Sequence, residues 1–239
     1  MLGSAKHFYR ISSVILPTLW IGSVLVLLLG LYAGLVLAPA DYQQGDSFRI
    51  MYIHVPAAIL SQSIYVMMAS MGAVFLIWKI KLADVAMRTV APIGAAVTFM
   101  ALLTGAIWGK PTWGTWWVWD ARLTSTLILM FLFLGVLAIR NAAGNGPAAG
   151  RMAAILSIIG VINLPIIKYS VDWWFTLHQP ASFSLTEKPA MPVEMWLPLL
   201  IMIIGFYGWF LALWIQRIRT EVLEEDANKD WVSQLVQQR

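Results

Sequence analysis

The chain contains no cysteine. That absence excludes disulfides, thiolate metal sites, iron–sulfur clusters and thioether attachment of a prosthetic group through a C-x-x-C-H motif. Charge is scarce as well. Asp, Glu, Lys and Arg make up 12% of 239 residues, about half the share found in ordinary soluble domains. With 60% hydrophobic residues, a soluble globule of this size lacks the polar groups to cover itself. A soluble enzyme, a disordered tail and a fibrous repeat are therefore excluded, and an integral membrane protein is implied. There is no G-x-x-x-x-G-K-[ST] phosphate loop, so any ATP dependence belongs to a partner. No nucleophile–base–acid constellation is visible, so the chain does not read as an enzyme. What it has in excess is tryptophan, 13 residues in all.

A membrane-crossing helix needs about 20 apolar residues. Six stretches qualify: 15–38, 50–78, 89–108, 123–139, 152–167 and 195–216. The fifth is the weakest, being short and holding Asn163 and Pro165. The first is too long for a signal peptide and has no small-residue cleavage site behind it. One set of flanks carries Lys6, Arg10, Lys79, Lys81, Arg88, Arg140, Arg151, Arg217, Arg219, Lys229 and Arg239. The other carries Arg49, Lys110, Arg122, Lys168 and Lys188. The excess of Lys and Arg on cytoplasmic loops then places both termini inside and the loops 39–49, 109–122 and 168–194 outside. The net charge of +4 reflects this inside bias and implies no nucleic acid. The expected fold is an all-α, single polytopic membrane domain over 1–239. It has six transmembrane helices, a tryptophan-rich outer loop between the third and fourth, a histidine-bearing outer loop 168–194 and a polar helical tail 217–239.

The run 108–122 reads WGKPTWGTWWVWDAR and holds five of the tryptophans. Gly109, Pro111 and Gly114 argue for a turn or loop. One reading is an aromatic belt that anchors helix ends at the headgroups. Four tryptophans at 113, 116, 117 and 119 are dense for anchoring. On a helix, Trp113, Trp116, Trp117 and Asp120 would share one face, a flat indole shelf ending in an acid. Such a shelf suits a large planar apolar ligand. Asp120 reads as a helix cap or as the residue that orients the loop or Arg122. Arg122 has the fork geometry that binds a carboxylate.

Of three histidines, His54 and His178 fall on the outer side with the tryptophans, while His7 lies a bilayer away. An ionisable residue at a span end is a functional candidate, and two imidazoles are what six-coordinate haem iron requires. Two His without Cys make a poor zinc site. Trp173, Trp174 and Phe175 are expected to form a short interfacial helix presenting His178, or to anchor the surface. Arg49 either meets a propionate or snorkels. Lys168 and Lys188 are weaker candidates of the same kind. Pro56 fixes how the second span starts, and the methionines of spans two and six read as core filler.

The segment 113–125, WGTWWVWDARLTS, resembles the tryptophan-rich WWD signature of the haem-handling protein family. Over nearly its full length the chain is similar to the CcmC branch of that family, the haem exporter subunits of system I cytochrome c maturation. The resemblance implies haem b, bound non-covalently and transiently at the periplasmic face of the bacterial inner membrane. It implies His54 and His178 as the axial iron ligands and a loop that cradles the haem edge. Trp113, Trp116, Trp117, Trp119, Asp120, Arg122 and Arg49 are then the candidates for pocket, propionate or chaperone contact. Implied partners are the haem chaperone CcmE, the ATPase CcmA, the membrane subunit CcmB and the small subunit CcmD. A system II haem-handling component, a b-type membrane cytochrome and a scaffold with tryptophan anchors are the alternatives.

Overall fold

In the computed structural model, residues 4–178 and 191–237 are described, and these form helices and connections with no named strand. Among them, six helical stretches are long and apolar enough to cross a membrane: Ala5–Leu37, Asp46–Trp78, Lys81–Trp113, Ala121–Ala143, Pro147–Trp173 and Val193–Glu225. The protein is a multi-pass membrane protein.

Helix α1 (Ala5–Tyr32) starts at Ser4, whose side chain accepts from the His7 N–H at 3.4 Å. It widens into a π turn at Ala33–Leu37. A tight 3₁₀ turn, Asp46–Ile50, leads into α2 (Met51–Trp78). Pro56 lies in the second turn of α2, where it removes the bond an N–H would make to the Tyr52 carbonyl. Helix α3 (Lys81–Trp113) pairs with α2, and α4 (Ala121–Ala143) packs on α3. The fifth crossing is split into α5 (Pro147–Ile159), a 3₁₀ turn (Gly160–Ile162) and α6 (Asn163–Trp173). Pro165 has no N–H for the carbonyl four residues earlier, which accounts for the break. Asn163 there is buried and donates to the Ser125 carbonyl at 2.8 Å. Helix α7 (Val193–Glu225) runs antiparallel to α1, and a short α8 (Asp230–Gln237) follows.

The central core joins Leu60, Ile64 and Tyr65 of α2 to Met87, Val90 and Val97 of α3, with Phe133 of α4 and Phe210 of α7. Helix α1 stands outside this core and touches chiefly α7. Small residues allow that approach: a Cβ on Gly205 would lie 2.8 Å from Leu27 Cδ2. Close packing of this kind replaces hydrophobic burial inside a bilayer.

Several boundaries differ from the sequence expectation. Helix α3 does not stop at 108 but carries Pro111 within its last turn and ends at Gly114, whose φ is 80°. The expected helical shelf of Trp113, Trp116, Trp117 and Asp120 does not form. Trp113 closes α3, residues 114–116 bend, and 117–120 are irregular. Nor is there a helix over 173–175: α6 ends at Trp173 and Trp174 is extended (φ −137°, ψ 157°). Helix α7 passes the expected limit of 216 and ends at Glu225.

Candidate functional site

One end of the bundle gathers the π turn, the 3₁₀ turn, the α3–α4 connection and the residues after α6. His54 and His178 lie there, and His7, in the first turn of α1, lies at the other end. His54 is the fourth residue of α2. Its Nδ1 is 3.0 Å from the Ala101 carbonyl oxygen and 3.1 Å from Thr104 Oγ1, both on α3. Thr104 donates its own hydroxyl to the Met100 carbonyl at 2.7 Å. Since a carbonyl only accepts, the neutral His54 ring carries its proton on Nδ1, which donates to Ala101, and Nε2 has no partner among the described residues. The ring is wedged tightly. A Cβ on Gly105 would come within 2.9 Å of His54 Cε1. The Trp108 indole meets the imidazole edge-on at 5.7 Å, and Trp108 Nε1 is fixed by donation to Gln44 Oε1 at 2.7 Å.

His178 is held differently. No helix carries it. Its backbone N–H donates to Thr176 Oγ1 at 3.1 Å, and the Thr176 hydroxyl donates to Asp120 Oδ2. Its Nδ1 faces the same carboxylate oxygen at 3.3 Å. Asp120 is the N-cap of α4, its Oδ1 accepting from the Leu123 N–H at 2.8 Å. Burial pushes the Asp120 carboxyl up, but the bonds from Thr176, Leu123 and His178 outweigh it and hold the group below its ordinary value. Burial lowers His178, and the Asp120 charge only partly opposes this, so the imidazole sits below its usual range. At neutral pH it is uncharged and donates from Nδ1 to Asp120, and its Nε2 has no partner among the described residues. The Trp113 indole packs on this ring at 4.7 Å. His178 and Arg122 both lie within electrostatic reach of His54.

The other sequence candidates divide. Trp113 and Trp117 are half-buried, whereas Trp116 and Trp119 are 56% and 74% exposed. Trp117 meets Trp119 edge-on at 5.3 Å, and its indole Nε1 is buried without a hydrogen-bond partner among the described residues. Arg122 ties α4 to α6: Nε donates to Ser170 Oγ at 3.0 Å and Nη2 to the Lys168 carbonyl at 3.3 Å. Arg49 is committed to the chain around it, donating to Asp46 Oδ1 at 2.9 Å and to the Gly34 carbonyl at 2.8 Å. The Lys168 ammonium lies over the Tyr169 ring at 5.6 Å. Lys188 lies outside the described residues.

Sequence reasoning missed the supports. The Ala101 carbonyl, Thr104 and Gly105 leave no mark other than small and hydroxylated residues one and two turns before Trp108. Thr176 and the pairing of Asp120 with His178 depend on a contact across 58 positions. Chemically, the end offers two imidazoles, each tied through Nδ1 and with no Nε2 partner among the described residues, beside indole faces. Among the described residues no group of three His, Asp or Glu is placed to hold a metal ion.

Comparison with known proteins agrees with the whole length. The family model for heme exporter protein C matches residues 1–233. The heme exporter protein C of Haemophilus influenzae is 51% identical over 229 residues, covering 96% of this chain and 93% of that protein. Its counterpart in Escherichia coli K12 is 49% identical over 239 residues, 100% of this chain and 96% of that one. A putative cytochrome c biosynthesis ccmC-like mitochondrial protein of Marchantia polymorpha is 41% identical over 199 residues, 83% and 82% of the two chains. The chain belongs to the heme exporter protein C family.

Proposed function

We infer that this protein binds haem b at the periplasmic face of the inner membrane and presents it to the haem chaperone CcmE for cytochrome c maturation. The observation that carries this reading is the pair of imidazoles whose Nδ1 atoms are taken and whose Nε2 atoms have no partner among the described residues. That donor set fits haem iron, which takes one nitrogen above the ring and one below. The names of the relatives, heme exporters and a cytochrome c biosynthesis protein, agree with it. Bound haem supplies an iron that takes axial nitrogens and a flat apolar ring that stacks.

The chain's own residues do the rest. His54 and His178 ligate. Trp113 and Trp108 pack against the ligating rings, and Trp116 and Trp119 give an exposed aromatic surface for the ring edge or the chaperone. Trp117 offers a buried N–H to a ligand oxygen. Arg122 keeps Nη1 for a propionate; Arg49, held by Asp46 and the Gly34 carbonyl through Nε and Nη1, keeps Nη2 and is a secondary candidate. With no cysteine, the chain itself forms no thioether, so the haem can leave. The basic flanks place both termini in the cytoplasm and the histidine end outside. Energy for release comes from the ATPase CcmA, assembled with CcmB and CcmD. The chain is a binding and transfer subunit without catalysis of its own.

The test is an absorption spectrum and pyridine-haemochrome assay on protein purified from haem-replete membranes. The expected result is the haem b spectrum of a low-spin, two-histidine iron. A protein that carries no haem under these conditions would overturn the reading.

A further inference from the structure

The two proposed ligands are backed by different chemistry. His54 Nδ1 meets a neutral carbonyl and a hydroxyl at 3.0 and 3.1 Å. His178 Nδ1 meets a carboxylate at 3.3 Å. That carboxylate is itself immobilised. One oxygen caps α4 through Leu123, and the other takes the Thr176 hydroxyl, which in turn receives the His178 backbone N–H. The Asp120 side chain is 5% exposed and that of His178 18%, so water screens the pair little. A carboxylate behind a metal-bound imidazole fixes the tautomer and raises the basicity of the ligating nitrogen.

We propose that Asp120 is the positioning residue for His178: it holds the imidazole with the proton on Nδ1 and makes His178 the stronger electron donor of the two ligands. This rests on the haem reading for its second half only. A first consequence is a fixed tautomer before any haem arrives. A second is an iron biased toward the ferric state, because a more basic ligand stabilises the higher charge. A third is rigid coupling of the ligand to the first turn of α4, which makes up for the lack of a helix under His178.

Two measurements test it. The first needs no haem. The ¹⁵N spectrum of histidine-labelled apoprotein reports tautomers, with the His178 signals assigned by their loss in His178→Ala. The expected result is protonated Nδ1 and bare Nε2 in the parent, with loss of that single tautomer in Asp120→Asn. Asn caps a helix as well as Asp does, so the fold survives. Asp120→Ser, another good cap without charge, gives the same loss. Thr104→Val, on the other histidine, leaves the His178 signals in place. A parent tautomer protonated on Nε2, or an unchanged tautomer in both Asp120 variants, overturns the proposal. The second measurement is the midpoint potential of bound haem, which rises in Asp120→Asn while the low-spin spectrum persists. An unchanged or lowered potential refutes the donor half. If the parent binds no haem, the functional reading fails, and the apoprotein spectrum still decides the role of Asp120.

Discussion

At the end of the bundle that carries the termini, Asp84, Arg88 and Arg140 are all more than nine-tenths buried and form a charge cluster, with Arg140 Nε and Nη1 left without a hydrogen-bond partner among the described residues. Arg140 pairs with Asp84, and Arg88 lies 3.5 Å from the same carboxylate. Arg88 also reaches Glu221 at 2.8 Å and Glu225 at 2.5 Å, and Lys81 joins Glu225 at 2.8 Å. These contacts tie the starts of α3 to the ends of α4 and α7. An open cleft there, about 350 Å³, has Lys81 and Lys229 on its rim, each already paired with Glu225 or Asp226. The histidine end is built the other way. Among the described residues, its imidazoles are each fixed at one nitrogen and have no partner at the other, and Trp117 keeps a buried N–H without a partner. Charge that is neutralised inside the protein clamps helices. Polar atoms held rigid but left unsatisfied are ready for a ligand. The unpaired Arg140 nitrogens belong to a guanidinium already paired with Asp84, so the difference supports the histidine end as the proposed haem site, although the clamped end holds far more charge.

The comparison breaks if changes at one end act on the other. The largest effect is expected from Arg88→Ala, which strands buried carboxylates and costs about 3–5 kcal/mol. Thermal unfolding in detergent should show it, with haem per folded molecule unchanged. A matched pair of glycines sharpens the contrast. In Gly150→Ala the new Cβ would sit 2.8 Å from Asp84 Oδ1 and 2.9 Å from Phe75 Cε1, so about 1–3 kcal/mol of stability should be lost. In Gly105→Ala the new methyl displaces the His54 ring. Haem retention should then fall about tenfold, equivalent to about 1.4 kcal/mol, with little change in melting. Trp117→Phe removes the unpaired N–H and keeps most of the ring. Haem titration should show a loss worth about 0.5–1.5 kcal/mol, and the apoprotein should melt no lower than the parent. The smallest effect belongs to Lys229→Met, whose exposed ammonium lies 2.7 Å from the buried Asp226 carboxylate, a group that also accepts the Trp231 indole N–H. It should change stability by less than about 1 kcal/mol and leave haem binding untouched.

Much of this was legible in the sequence because bilayer length and apolar runs are linear signals. All six crossings and the sharing of one end by His54 and His178 came from that source. Helix ends were less legible. Gly109 and Pro111 read as loop punctuation, yet α3 tolerates both, since a cis-free helix loses only one bond at a proline near its end and Gly109 makes room for the Trp113 ring. The indole shelf failed for the same reason in reverse. Helical spacing was applied to 113–120, but Gly114 at positive φ ends the helix at its first member. Among the supports of the two histidines, Asp120 was legible as a helix cap and site candidate, but its pairing with His178 and the other supports were not. The supports are a backbone carbonyl, a small residue defined by what it excludes, and a carboxylate 58 positions away.

The central claim is that two imidazoles, one on α2 and one on the stretch after α6, grip one haem iron. The most direct measurement is the absorption spectrum of the double variant His54→Ala plus His178→Ala, purified from haem-replete membranes beside the parent. The account predicts that the low-spin haem band of the parent disappears from the double variant while the protein remains folded. A normal haem band in the double variant would contradict the account.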